Sequence, residues 1–245
     1  MVVVPFAAET FARWIPPWFE NRIGAAAEVE IAKALIPRGQ EPFCRAQAGI
    51  AALDGLVARL GQAATMAIPI RVRVVDTNFV NAAALPGGRI LLFRGLIEKA
   101  NEPAEVAGVL AHEMGHVAHR HVLTLLVEQA AVSVFLGLLI GDIAGAAAIA
   151  AVATMAASAR YSQPMEAAAD AFAIAVLNRA GIAAAPLADF FERLGKAETA
   201  LPAIFSLLSS HPRSDGRAAR IRAASTGSAP AMSVEDWAAL KKICA

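Results

Sequence analysis

The segment His112-Glu113-Met114-Gly115-His116 decides how the rest of this sequence is interpreted. Its two histidines stand four residues apart, so a helix would place both imidazoles on one face, one turn apart, where they could bind one metal ion. Zn²⁺ accepts imidazole nitrogens at about 2.0–2.1 Å. Glu113 follows the first histidine, where its carboxylate could reach a water molecule on the metal. The segment therefore predicts a zinc site with a glutamate as general base.

The helix that carries this motif is expected to begin near residues 101–102, because Pro103 would then occupy its first turn, a position that tolerates proline. The helical pattern could extend past His121. By the rise of a helix, His119 would lie about 10 Å from His112, too far to share an ion with it, and His121 would point elsewhere. We therefore predict that neither of these later histidines binds the metal.

A catalytic zinc needs a third protein ligand and an open position. Glu166 and Asp170 lie one helical turn apart in an alanine-rich stretch that is expected to be helical over residues 164–180. Glu166 could bind zinc, and Asp170 could accept a hydrogen bond from the outer N–H of a ligating histidine. The spacing leaves a second interpretation open, in which both carboxylates lie on a solvated helix face.

His211 is the remaining candidate for a functional polar group. It stands in a predicted turn just before Pro212, and Arg217 follows closely. One interpretation is an ordinary surface turn. The other is catalytic, with the imidazole donating a hydrogen bond to the oxyanion of a tetrahedral intermediate.

Outside these motifs the sequence predicts a mainly helical α+β fold with a small β-sheet. Alternating apolar residues predict strands over residues 70–76 and 89–94, on either side of the turn Pro86-Gly87-Gly88. Apolar residues at helical spacing and capping signals predict further helices. These are expected near residues 20–36, 46–66 and 186–197, and after the capping box formed by Ser233 and Asp236.

The chain is expected to divide into an N-terminal arm over residues 1–45, which prolines interrupt, and one metal-binding domain over residues 46–245. Residues 122–160 are strongly apolar, and Asp142 is the one charged residue between 129 and 159. We expect a helical hairpin there that turns at Gly141–Gly145. It could contact a membrane surface or a membrane-protein partner, or it could simply cover the core.

Composition narrows the function classes. With 22 basic and 21 acidic residues, the chain has a net charge of +1 and no basic runs, which argues against a nucleic-acid partner.

The first residues lack the basic start and long apolar run of a signal peptide. Cys44 and Cys244 do not form a C-x-x-C pair. They are either two unrelated thiols or a disulfide that ties the N-terminal segment to the C-terminal helix, and a stable disulfide would indicate an environment outside the reducing cytosol.

Four motifs in this order resemble the HtpX/BepA family of membrane-linked gluzincin metallopeptidases, which includes the CAAX prenyl proteases and the mitochondrial Oma-type proteases. The resemblance covers roughly residues 46–220. The motifs are Asn81-Ala-Ala-Ala-Leu-Pro-Gly-Gly, His112-Glu-Met-Gly-His116, Glu166-x-x-x-Asp170, and Ser210-His211-Pro212 with Arg217. Together they are far more specific than the histidine motif alone.

The resemblance implies a gluzincin core with one Zn²⁺ per chain, bound by His112, His116 and Glu166, and Glu113 as the general base. His211 would stabilise the reaction intermediate or, in a resting form, occupy the open position on the metal.

By the same resemblance, Asp170 and Arg217 would support the site from outside the ligands, and the strand at residues 89–94 would be the edge along which an extended polypeptide substrate pairs. Unlike the prenyl proteases, this chain lacks several clear membrane spans and is closer to soluble or peripheral bacterial members. A location in the bacterial cell envelope, either membrane-associated or periplasmic, is therefore expected.

Two functions remain after this comparison. The first is a zinc-dependent endopeptidase that acts on misfolded or unassembled membrane and envelope proteins. The second is a zinc-containing, chaperone-like binding module whose active site His211 holds shut. A purely structural zinc site has no need of a glutamate beside its first ligand, which argues against that third interpretation.

Overall fold

The computed structural model describes residues 3–66, 68–129, 160–197, 207, 211 and 216–245. The described helices are α1 (Val3–Trp14), α2 (Pro17–Leu35), α3 (Gln47–Ala64), α4 (Arg94–Lys99), α5 (Pro103–Ala118), α6 (His121–Gln129), α7 (Gln163–Arg179), α8 (Ala185–Ala197), α9 (Arg217–Ala223) and α10 (Val234–Lys241). The strands are β1 (Arg71–Val75), β2 (Ala82–Leu85) and β3 (Arg89–Phe93). This architecture confirms the predicted mainly helical α+β class.

Helix α5, which carries the histidine motif, is the central element. Every residue from Ala104 to Val117 is buried, so the helix runs through the core and not along the surface. Helices α7 and α8 and strand β2 pack against it. Pro103 occupies its first turn, as predicted. A helix in this position must find partners within the protein for each polar side chain that it carries.

The sheet has the strand order β1-β3-β2, with β1 parallel and β2 antiparallel to β3. The prediction that residues 89–94 form an edge strand is therefore wrong, because β3 has a neighbour on each side. The second neighbour, β2, consists of three alanines and a leucine, a composition that does not indicate a strand. Gly87 and Gly88 have φ of 75° and 78°, which lets the chain turn tightly from β2 into β3.

The two N-terminal helices lie on the body of the protein. Helix α2 contacts β2 and β3, and α1 packs along α6. Ile15, Phe19 and Ile23 pack with Leu123 of α6 in a small apolar cluster of their own. The helix expected near residues 20–36 corresponds to α2. The division of the chain into an arm and a single domain stays a prediction.

The histidine-bearing helix ends sooner than the sequence suggests. Helix α5 stops at Ala118, and α6 begins at His121, so the predicted continuation past that residue is wrong. The apolar hairpin expected over 122–160 lies outside the described residues apart from the start that belongs to α6. None of the described helices combines the length and the apolar character needed to cross a bilayer.

Cys44 and Cys244 form a disulfide between residues 200 positions apart in sequence. This is the second of the two alternatives that the sequence left open. Beside the disulfide, Ala46 N donates a hydrogen bond to Ile243 O at 3.1 Å, and α3 packs on α10. The covalent bond therefore joins the segment before α3 to the end of the chain after α10.

Candidate metal centre

The two motif histidines face each other across one turn of α5. The Nε2 atoms of His112 and His116 lie 3.1 Å apart, and both side chains are fully buried. Because buried imidazoles lose their hydration, this pair needs either hydrogen-bond partners or a cation between the two nitrogens.

Helix α7 supplies a carboxylate to this pair. Glu166 Oε1 lies 3.4 Å from His116 Nε2, and Oε2 lies 3.6 Å from His112 Nε2. The close approach of α7 depends on a glycine, because a Cβ on Gly115 would lie 2.8 Å from Ala169 Cα. Glu166 is only 3% exposed, so the interpretation as a solvated helix face is excluded.

His211 completes the group. Its Nδ1 lies 2.8 Å from Glu166 Oε1 and 3.1 Å from His112 Nε2, and the residue is 1% exposed. The interpretation as a surface turn is therefore wrong. The donor atoms of His112, His116, Glu166 and His211 all lie within 4.8 Å of one another.

Asp170 and Arg217 form the layer behind these donors. Arg217 donates two hydrogen bonds to the carboxylate, from Nε to Oδ2 at 2.8 Å and from Nη2 to Oδ1 at 2.7 Å. Asp170 Oδ1 also lies 3.0 Å from His112 Nδ1, so it can hold a proton on Nδ1 and leave the Nε2 lone pair free. Burial would raise the pKa of Asp170, but the contacts with His112 and Arg217 lower it.

Glu113 lies beside the group and is anchored by the sheet. Its Oε2 accepts a hydrogen bond from Ala84 N of β2 at 2.8 Å. Its Oε1 is 3.2 Å from His211 Nε2 but, like Glu166 Oε2, has no hydrogen bond of acceptable geometry although it is buried. Glu166 Oε2 forms an ion pair with Arg217 Nη1 at 3.0 Å. The three imidazoles together with the Glu166 carboxylate make a donor set that suits Zn²⁺.

Charge in this cluster is balanced between the carboxylates and His211. Burial would lower the pKa of His211, but Glu166 and Glu113 raise it to about 10. Burial would raise the pKa of Glu113, yet the charge of His211 holds it at about 2. Burial also lowers the pKa of His116 to about 4, which keeps that imidazole neutral and able to bind a metal at neutral pH. A divalent cation would replace the compensating proton on His211.

Two residues contact His116 in a way that the sequence did not predict. The Tyr161 ring stacks on the His116 ring with centroids 3.8 Å apart. His121 Nδ1 lies 2.9 Å from His116 Nδ1, so the prediction that it points elsewhere is wrong. The chain reverses at Arg120 between the two helices, and this reversal brings the second ring back. The single tyrosine of the chain was a usable signal, because it stands just before the predicted carboxylate helix.

Comparisons with known proteins agree with this geometry. The chain is 32% identical over 161 residues to metalloprotease YcaL of Escherichia coli (strain K12), covering 63% of this chain and 61% of the relative. It is 33% identical over 165 residues to metalloprotease LoiP of the same organism, covering 63% and 62%. It is 36% identical over 154 residues to a putative beta-barrel assembly-enhancing protease of Vibrio cholerae, covering 58% and 32%.

This chain spans less than two thirds of the length of each of these relatives. The model of peptidase family M48 matches residues 50–225, a stretch that begins in α3 and contains the described donor residues together with Asp170 and Arg217. With well over half of its length matched, the chain belongs to peptidase family M48.

Proposed function

We propose that this chain is a zinc-dependent endopeptidase, with His112, His116 and Glu166 as the metal ligands and Glu113 as the general base. Zinc is the metal on which this family depends. The observation that carries the proposal is the buried group of imidazoles and a carboxylate, beside which Glu113 is bound to the sheet through only one of its two oxygens.

His112, His116 and Glu166 would hold the zinc ion, which would supply the Lewis acidity that polarises a scissile carbonyl and acidifies water. Glu113 Oε1 would accept a proton from the attacking water and later give it to the leaving amine. The hydrogen bond from Ala84 N to Oε2 keeps the carboxylate plane fixed, so Oε1 stays turned toward the reacting atoms. Asp170 and Arg217 keep His112 in the tautomer that presents Nε2.

His211 has two parts in this proposal. In the conformation described here its Nδ1 joins the donor group, so the resting site is closed to a substrate carbonyl. Because a catalytic zinc needs an open position, His211 must withdraw before hydrolysis. Once it has withdrawn, it can donate a hydrogen bond to the oxyanion.

The substitution His211→Ala should remove one imidazole from the resting metal site. The parent is expected to coordinate zinc through three imidazoles and a carboxylate, and the variant through two. X-ray absorption at the zinc edge counts imidazole ligands directly. Identical coordination in parent and variant would contradict the closed resting site and leave His211 with the oxyanion role alone.

Polypeptides are the substrates of a peptidase family, and we propose that they bind along β2 and not along β3. Ala82 N and Ala84 N donate to Asn81 Oδ1 and Glu113 Oε2, so these groups lie on the side of β2 that β3 does not occupy. An extended peptide added to this edge would replace Asn81 Oδ1 as the acceptor of Ala82 N, while Ala84 N stays bonded to Glu113, and would lie beside that carboxylate. This replaces the substrate strand expected at residues 89–94.

We propose misfolded or unassembled envelope proteins as the substrate class and the bacterial envelope as the location. The support is the name of the Vibrio cholerae relative, a putative beta-barrel assembly-enhancing protease, and the disulfide, which is stable in an oxidising compartment. Contact of the 122–160 segment with a membrane surface or membrane protein remains part of the proposal.

Zinc content and casein cleavage, measured together, test the proposed function. The parent should contain one zinc per chain and cleave casein until a chelator is added. Because His211 can also hold zinc at rest, the substitution is made in the His211→Ala background, where Glu166→Ala should lose most of its zinc, since two imidazoles and water hold the ion poorly. Full zinc content in that double variant would show that the third ligand lies elsewhere.

A chaperone-like module is the second candidate. The observation that favours this module is the position of His211 among the donors, where it closes the site. Such a module would bind an unfolded client tightly without cleaving it. Client binding by a zinc-loaded parent that shows no turnover would support this candidate over the endopeptidase.

A further inference from the structure

The turn between α5 and α6 has an unusual backbone. Arg120 has φ of 54°, a left-handed conformation that is unfavourable for an ordinary L-residue. Its N–H donates to Val117 O at the end of α5, and its carbonyl accepts from Thr124 N in α6, both at 3.0 Å. One residue thus ends one helix and starts the next, and surrounding contacts must hold it in this conformation.

The N-terminal helices provide those contacts. The Arg120 guanidinium donates to Ala12 O at 2.7 Å and to Ile15 O at 3.1 Å, around the end of α1. It also forms an ion pair with Glu20 of α2. Glu20 is 2% exposed, and a carboxylate buried to this degree needs its cationic partner. The guanidinium therefore has three partners, and all of them lie outside α5 and α6.

The reversal at Arg120 has a consequence at the metal centre. It turns His121 back so that its Nδ1 lies 2.9 Å from His116 Nδ1. His116 Nε2 faces His112 and Glu166, so its lone pair must be there if it binds metal. The proton then sits on Nδ1, and His121 is its acceptor. His112 receives the equivalent support from Asp170.

We propose that His121 is a positioning residue that fixes the tautomer and ring orientation of His116, and that α1 and α2 hold it there through Arg120. The inference rests on the proposed function, in which His116 binds zinc. It assigns a role in metal binding to N-terminal helices that contribute no donor to the described group.

A matched pair of variants tests the role of His121. His121→Phe keeps an aromatic ring but removes the acceptor, whereas His121→Asn can place an amide oxygen where Nδ1 stood. Loss of such an outer partner typically weakens metal binding about 10–100-fold. We expect that loss in His121→Phe, measured as zinc affinity by chelator competition, and affinity close to that of the parent in His121→Asn. Equal affinities in parent and His121→Phe would overturn the proposal.

A second pair of variants tests whether α1 and α2 affect zinc binding through Arg120. Glu20→Gln weakens the ion pair with Arg120, and Glu105→Gln weakens a comparable pair in which Arg193 donates to a 3% exposed carboxylate at 2.8 and 2.6 Å. Both variants should melt at lower temperature than the parent, but only Glu20→Gln should also bind zinc more weakly. Equal zinc affinity in the two variants would refute the connection.

The tautomer of His116 gives a readout that needs no metal. Nitrogen-15 shifts of the metal-free parent, with only five histidines to assign, should show the proton of His116 on Nδ1, and His121→Phe should lose this preference. A parent that binds no zinc would refute the proposed function, while these shifts would still decide the positioning role. A preference unchanged in His121→Phe would refute that role alone.

Discussion

Replacing Glu113 by glutamine should abolish casein cleavage while the zinc content stays at one ion per chain. The substitution keeps the size of the side chain and an oxygen that can accept the Ala84 N–H, so the local structure should persist. The amide cannot take up a proton, and loss of a general base typically lowers the rate about 10²–10⁴-fold. Glu113 is not one of the clustered metal-donor residues, so the metal should remain.

The measurement is the rate of casein hydrolysis beside elemental analysis of the same samples. Glu105→Gln is a suitable control, because it changes another buried glutamate of α5 that lies about 12 Å away by helical rise. It should retain activity. Loss of zinc from Glu113→Gln would mean that this carboxylate is a ligand, and retained cleavage would mean that another group is the base.

Removing the disulfide should destabilise the protein strongly. The bond between Cys44 and Cys244 closes a loop across 200 residues of sequence, and a loop of this size restricts the unfolded chain considerably. For the double serine variant we expect a loss of about 3–5 kcal/mol and a fall in melting temperature of roughly 10 °C. Zinc affinity should change little, since neither cysteine belongs to the group of donors formed by His112, His116, Glu166 and His211.

Differential scanning calorimetry of the zinc-loaded protein measures this effect, with a reducing agent as the internal control. Reductant should lower the melting temperature of the parent toward that of the double variant and leave the variant unchanged. A parent that melts at the same temperature with and without reductant would show that the bond contributes nothing to stability.

The helices that carry the metal site were predictable because their signals are local. Pro103 and the four-residue spacing of His112 and His116 place α5, and the serine cap at position 233 places α10, with Ser233 Oγ accepting from Asp236 N at 3.0 Å. Such signals depend on residues within a turn or two of one another. The fold class and the site-bearing helix followed from them.

The features that the sequence did not predict depend on contacts beyond a single helix. Strand β2 exists because β3 pairs with it, not because alanine favours strands. The reversal at Arg120 requires carbonyl groups from α1 and a carboxylate from α2, which lie 100 to 108 positions away in sequence. The burial of Glu166 and His211 likewise depends on how the helices pack. Residue spacing alone could not show whether these two side chains are buried or exposed to solvent.

The contact between Gly115 and Ala169 has a consequence for how this site can vary during evolution. The helix bearing two donors and the helix bearing the third approach each other closely at these two small residues. A Cβ at position 115 would lie 2.8 Å from Ala169 Cα and 3.0 Å from Ala169 O, and these are backbone atoms that a smaller residue at 169 would not remove. The two helices would have to move apart, which widens the gap across which imidazole and carboxylate must share an ion. Selection for metal binding should therefore keep position 115 a glycine, whatever residue stands at 169.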